Sequence, residues 1–455
     1  MKTRNLFCIF LGLVTIFCFL SPLEPVAAQE AVYYRFSPTA IYDNGSDSTT
    51  LEIYTSGNVA GVTLKPEFAD EPVYQLYDDG SNGDAVAGDG TFTLGSITST
   101  MFPEDLLFPI AWNENNVDVD LATIWLSIEI SYGSGQSELI SFMELRVVSS
   151  KLEFAADQVG DGLYASEYAI FIVDPAGETY TGNFPNITDY DGPSIAKKFY
   201  AIYPDEFDFI NFMVVRGDLG MKAHSGSLRS AATNIGTDQP DYTAEFGSQG
   251  RLLAMTYSSF GFLNHEIGHS WGAFVGVEQG ISTGIHWSGS TDISGMMSEG
   301  YETSDGLYFF TPNGDGTFTA GWFEDRFAPL ELYLMGMIPP EEVPDVQILH
   351  DLDLSDLERV VPGSIETYSI EQIMAAAGGP RQPAYPAAQT DFNIAIVLLS
   401  DSNFSEAEIA LYSFLSREYS AQREANALEN FYTATGRLGT VNTRLADWGI
   451  PGIQP

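Results

Sequence analysis

His265, Glu266 and His269 fall in the run His265-Glu266-Ile267-Gly268-His269, and their types and spacing suit one kind of chemistry. Residues four apart lie on the same face of a helix, about one turn from each other. Two imidazoles at that spacing stand side by side and can share one metal ion. Glu266 sits one step round the helix, close enough to take a proton from a water beside that metal. Two neutral nitrogen donors, a Lewis acid and a carboxylate base are the parts that metal-assisted hydrolysis requires. The helix that must carry them is expected over residues 259–274.

A catalytic zinc usually has three protein ligands and one open position, so a third ligand is needed. Both cysteines, Cys8 and Cys18, lie in an N-terminal segment expected to be removed, which leaves His, Asp and Glu as donors. The chain has five histidines, at 224, 265, 269, 286 and 350. His286 is the first choice: it lies in Gly284-Ile285-His286-Trp287-Ser288, after a glycine-rich connection able to turn back beneath the helix. Glu299, Glu278 and Asp292 stay open as alternatives, while His224 and His350 read as ordinary histidines.

Around these residues the chain resembles the zincin metallopeptidases. The metzincin pattern H-E-x-x-H-x-x-G-x-x-H is followed as far as Gly272 and departs from it at Val275, which cannot bind a metal. Downstream, Ser294-Gly295-Met296-Met297-Ser298 resembles the methionine turn that floors metzincin zinc sites. Ser298-Glu299-Gly300-Tyr301 is similar to the glutamate box of gluzincins. The resemblance implies one catalytic Zn²⁺ held by His265 and His269 and a third ligand, for which His286 is the first choice, with Glu266 as general base, in a secreted endopeptidase acting on protein or peptide substrates. Several zincins use a tyrosine to donate to the oxyanion, a role open here to Tyr301 or Tyr333, against the plainer reading of both as packed core tyrosines. The segment 327–343, Phe-Ala-Pro-Leu-Glu-Leu-Tyr-Leu-Met onward, resembles one in bacterial exported proteins that carry H-E-x-G-H. Three rivals stand beside this reading. They are a surface adhesion or binding protein with a degenerate peptidase domain, a zinc hydrolase of a non-peptide bond, and a structural metal site.

Other elements place this site in the chain. Lys2 and Arg4, an apolar run over residues 6–20 and Val26-Ala27-Ala28 read as a secretory signal peptide over residues 1–28, so the protein is expected outside the cell. The net charge of −43 repels nucleic acid and anionic lipid, so neither nucleic acid nor membrane is expected as a partner once the signal is gone. With 44% hydrophobic and 13% aromatic residues the chain can bury real cores.

Over residues 29–150 short β-branched and aromatic runs (31–36, 50–54, 61–64, 124–130 and 144–148) alternate with turn clusters, which suggests an all-β, immunoglobulin-like sandwich. Its loop 76–93 holds Asp78, Asp79, Asp84 and Asp89 among glycines and resembles a signature of Ig-like modules in bacterial exported proteins. Those carboxylates suit either Ca²⁺ or a plain Asp/Gly turn. The tag Gly-Asp-Gly-Thr-Phe-Thr recurs at 314–319 without making a repeat architecture.

Residues 151–455 are expected to form an α+β domain of zincin type. A helix is expected over 193–203, strands over 207–215 and 251–257, and a long helix over 405–435 with Ser405 as its N-cap. The strand 251–257 is expected at the sheet edge, where an extended substrate would pair.

Overall fold

The computed structural model describes residues 33–112, 118–217, 223–322, 325–424 and 428–448. The expected signal, residues 1–28, lies outside them. The described residues form two compact units that part between Leu152 and Glu153.

The first unit is built from nine strands: β1 (Tyr33–Ser37), β2 (Ala40–Tyr42), β3 (Thr49–Tyr54), β4 (Val59–Pro66), β5 (Tyr74–Leu76), β6 (Thr91–Ile97), β7 (Phe108–Trp112), β8 (Val119–Tyr132) and β9 (Ser137–Val148). One sheet has the order β1-β3-β6; the other runs β2-β9-β8-β4-β5, with β7 also on β8. Strict alternation drives this. In β3, Leu51 and Ile53 are buried while Glu52 and Tyr54 are not, and β4 buries Val62 and Leu64 in the same way. Phe36, Leu51, Ile53 and Ile97 from the first sheet share one core with Val62, Leu64, Ile124, Leu126, Leu145 and Val147 from the second. Four strands went unread in the sequence, β2, β5, β6 and β7. Of these β6 includes the Thr91-Phe92-Thr93 end of the aspartate loop and pairs antiparallel with β3.

The second unit holds β10 (Asp157–Gly160), β11 (Leu163–Ala165), β12 (Ile170–Val173), β13 (Tyr180–Asn183), β14 (Asn186–Tyr190), helix α1 (Gly192–Tyr200), β15 (Phe209–Val214), β16 (His224–Ser227) and β17 (Ala254–Tyr257). Helix α2 (Leu263–Gly268) follows, then β18 (Tyr301–Thr303), β19 (Gly306–Pro312), β20 (Phe318–Gly321) and α3 (Pro329–Met335). The chain continues through β21 (Val346–His350), β22 (Ser364–Tyr368), α4 (Ile370–Ala376), β23 (Asp391–Ser400), α5 (Glu406–Tyr419), α6 (Phe431–Ala434) and β24 (Thr440–Asn442).

The main sheet has the order β10-β11-β12-β23-β15-β17-β16. Its centre, β12-β23-β15-β17, is parallel, and β16 closes one side antiparallel to β17. Central parallel strands are covered on both faces and so read as continuous apolar runs. β23 shows this: Phe392, Ile394, Ile396 and Leu398 enter the core beneath α2, while Ala395, Val397 and Leu399 enter the core beneath α1.

Three expectations change here. Strand β17 is not an edge, because β16 pairs along its outer side. The long C-terminal helix is two helices. Ser405 does cap α5, its hydroxyl accepting from Glu408 N at 3.1 Å, but Asn430 intervenes. Its amide donates to the carbonyls of Ala421 (2.9 Å) and Arg423 (2.8 Å), and its oxygen accepts from Thr433 N (3.0 Å) to start α6. The third change concerns α2, which spans six residues rather than the expected sixteen.

Candidate metal centre

The chain enters α2 from the end of β17, where a buried polar chain fixes it. Thr256 Oγ1 donates to Asn211 Oδ1 (2.8 Å), and Asn211 Nδ2 donates to Ser258 O (3.0 Å). Leu263 and Ile267 anchor the helix in the core. Asn264, between Leu263 and His265, accepts from Tyr419 Oη (2.7 Å) and donates to Glu429 O (2.9 Å), so α5 and the segment after it brace the helix.

The reason for the short helix lies at its glycines. A Cβ on Gly268 would stand 2.5 Å from Met297 Sδ and 3.1 Å from Phe327 Cε1, and one on Gly272 would stand 3.1 Å from Met297 Cγ. Met297 lies against the helix because those side chains are missing. Glycine is also a poor helix former, and Ala273 takes a left-handed φ of 63° that ends the turn. His269 still holds helical backbone angles (φ −59°, ψ −13°) as the C-cap, so the one-turn spacing of the two histidines survives.

Three imidazoles meet. The ring centroids of His265, His269 and His286 are 4.9, 5.0 and 5.1 Å apart. Each ring offers a nitrogen, and those nitrogens all lie within 4.8 Å of one another. His265 Nε2 and His286 Nε2 are 3.0 Å apart. The outer nitrogens are tied back: His265 Nδ1 is 2.7 Å from Met296 O, and His286 Nδ1 is 3.4 Å from Glu299 Oε1. Burial lowers the pKa of all three rings, His265 to about 4 and His269 to about 3. Each is therefore a neutral imidazole at pH 7, the form that binds a metal.

Glu266 is 3% exposed, and its Oε2 has no hydrogen-bond partner among the described residues. Burial pushes its carboxyl up to about 7. An unpartnered buried carboxylate oxygen is costly.

The remaining candidates fall elsewhere. Glu299 stands behind His286 and also accepts from Thr283 Oγ1 (3.1 Å), so it is a partner of that ring and not one of the converging donors. Asp292 accepts from Gln347 N (2.8 Å), fastening the loop to β21, and Glu278 is exposed. Tyr333 is a core tyrosine whose hydroxyl accepts from Arg381 N (3.0 Å). Tyr301 packs edge-on against Phe310 in a separate small core. No described contact joins either tyrosine to the histidines.

In the first unit Asp78, Asp84 and Asp89 bring carboxylate oxygens within 4.8 Å of one another, without Asp79. Asp78 accepts from the backbone of Gly88, Asp89 and Gly90; Asp84 accepts from Gly80 and Val86. Asp79 turns to Ser81.

Sequence reasoning missed Glu331, which is 1% exposed at the start of α3. It takes N–H bonds from Trp287, Met296, Met297 and Ala328. Burial raises its carboxyl to about 7, and those four donors oppose the rise. The available signal was an acid three residues into a helix that Pro329 opens and that leucines otherwise fill.

No protein-family model matches this sequence, and no curated protein matches it. Among the described residues no helix is long and apolar enough to cross a membrane.

Proposed function

We propose that this protein is an exported, zinc-dependent endopeptidase of zincin type, with an immunoglobulin-like module at its N-terminus. The observation that carries this reading is the meeting of His265, His269 and His286, with the next residue after His265, Glu266, buried and its Oε2 without a hydrogen-bond partner among the described residues. Three neutral nitrogens suit zinc, and three protein donors are the number a catalytic zinc usually has. A structural zinc site would normally close with a fourth protein donor. The order of helix motif, histidine and methionine turn resembles metzincins with a longer gap before the third histidine.

Zinc, when bound, supplies a Lewis acid that polarises a carbonyl and acidifies water. The chain's own residues do the rest. His265 and His286 are held in orientation through their Nδ1 atoms by Met296 O and Glu299. Glu266 takes one proton from the attacking water as the new C–O bond forms. It returns that proton to the amine nitrogen as the C–N bond breaks, so the products are an acid and an amine. Its burial suits both halves of this task.

The test is Glu266→Gln. The variant should bind zinc like the wild type and cleave casein about 10²–10⁴-fold more slowly. Equal cleavage by the variant removes the mechanism. Turnover of ester or glycan substrates in place of casein points to the non-peptide hydrolase, and a wild-type protein with calcium but no stoichiometric zinc points to the binding protein.

A further inference from the structure

Glu331 contributes one carboxylate to three separate segments of the chain. Oε1 accepts from the Trp287 indole (2.9 Å) and Met297 N (2.7 Å); Oε2 accepts from Ala328 N (2.6 Å) and Met296 N (3.2 Å). The approach is close enough to require Gly295, where a Cβ would sit 2.6 Å from Oε2. All four partners are donors, so none can accept from a carboxylic O–H or an amide N–H.

Each bond leads to the metal centre. Trp287 adjoins His286, and its backbone is paired with Met297 O (2.9 Å) and Glu299 N (3.1 Å). The Met296 carbonyl takes the Nδ1 side of His265 (2.7 Å), and Met297 packs where Gly268 leaves space between the two motif histidines. Ala328 N fixes the start of α3 to the same point.

We propose that Glu331 is the positioning residue of the three-histidine centre, holding His286 through Trp287 and His265 through the Met296 carbonyl. This rests on the zinc reading above. Glu331 does not touch the metal or the substrate. It sets where two of the three rings stand, as partners behind metal ligands do elsewhere.

The experiment measures zinc affinity of the full-length protein by competition with a chromophoric chelator, well below the unfolding temperature. In Glu331→Gln the new amide group faces two N–H donors. Zinc affinity is expected to fall by about 10–100-fold in the folded variant. Trp287→Phe removes one donor only and is expected to weaken zinc binding less, in the same direction; it decides the matter if the Gln variant does not fold. Leu334→Ala, a buried change on the same helix, should lower Tm and leave zinc affinity unchanged. Folded Glu331→Gln with wild-type zinc affinity, an unaffected Trp287→Phe, or an equal loss in Leu334→Ala overturns the positioning role while the zinc reading stands. A wild-type protein that binds no zinc overturns both.

Discussion

A histidine binds a metal through one bare nitrogen, and whatever meets its other nitrogen decides how the ring faces. At His265 that partner is a backbone carbonyl, at His286 the carboxylate of Glu299. The sequence displays His265, Glu266 and His269 plainly, because their spacing within one helical turn is itself the geometry. His286 was legible by scarcity and by its glycine-rich approach. Glu299 was harder. From the sequence it stood as a rival ligand, since only a distance across a turn separates a ligand from the group behind one. This gives a prediction. Glu299→Ala should keep stoichiometric zinc and bind it up to about 10-fold more weakly, whereas His286→Ala should lose stoichiometric binding; equal loss in both, read by chelator competition, would restore Glu299 as a ligand. Glu331 was not legible, because three of its four partners are backbone N–H groups and two of those lie more than 30 residues away. Side-chain pattern carries no record of such bonds. Tyr333 belongs to the core because its hydroxyl meets Arg381 N, a contact across 48 residues.

Elements were read where periodicity is strong and misread where a single side chain intervenes. The apolar run at β15 announces a buried strand and Ser405 announces the start of α5, whereas the equally apolar run of β23 went unread. The break after Tyr419 depends on one amide, Asn430, satisfying carbonyls on one side and an N–H on the other. The short motif helix has a similar cause, in two glycines that make way for Met297. Gly268→Ala tests it. Alanine favours helix by about 1 kcal/mol over glycine, but its Cβ would lie 2.5 Å from Met297 Sδ and 3.1 Å from the Phe327 ring, both in the core. Crowding of that kind costs about 1–3 kcal/mol, so steric cost should win. Tm is expected to fall and zinc to bind more weakly, because the residue sits between His265 and His269. A variant with a raised Tm and unchanged zinc affinity would show that Met297 does not need the gap. The edge position of β16 was missed for a plain reason: His224-Ser225-Gly226-Ser227 has no strand-like composition, and only its pairing with β17 makes it one.

At the scale of the whole molecule, the chain forms two compact units of different make-up. The first unit is a β-structure whose aspartate loop is closed by its own backbone N–H groups. The second gathers three of the chain's five histidines at one point. That gathering rests on distant parts of the chain: β17 launches the helix, α5 braces it, and α3 contributes Glu331, which ties down the turn beneath it. Burial keeps the rings of that centre neutral, so on the proposed reading a divalent cation would meet nitrogen donors there. Anomalous scattering at the zinc edge, from crystals of the full protein grown with zinc, tests this most directly. The account predicts a strong peak bonded to His265, His269 and His286, with Glu266 beside it and Glu299 behind His286. A peak bonded to Glu299 in place of His286, or no peak among the three histidines, would contradict it.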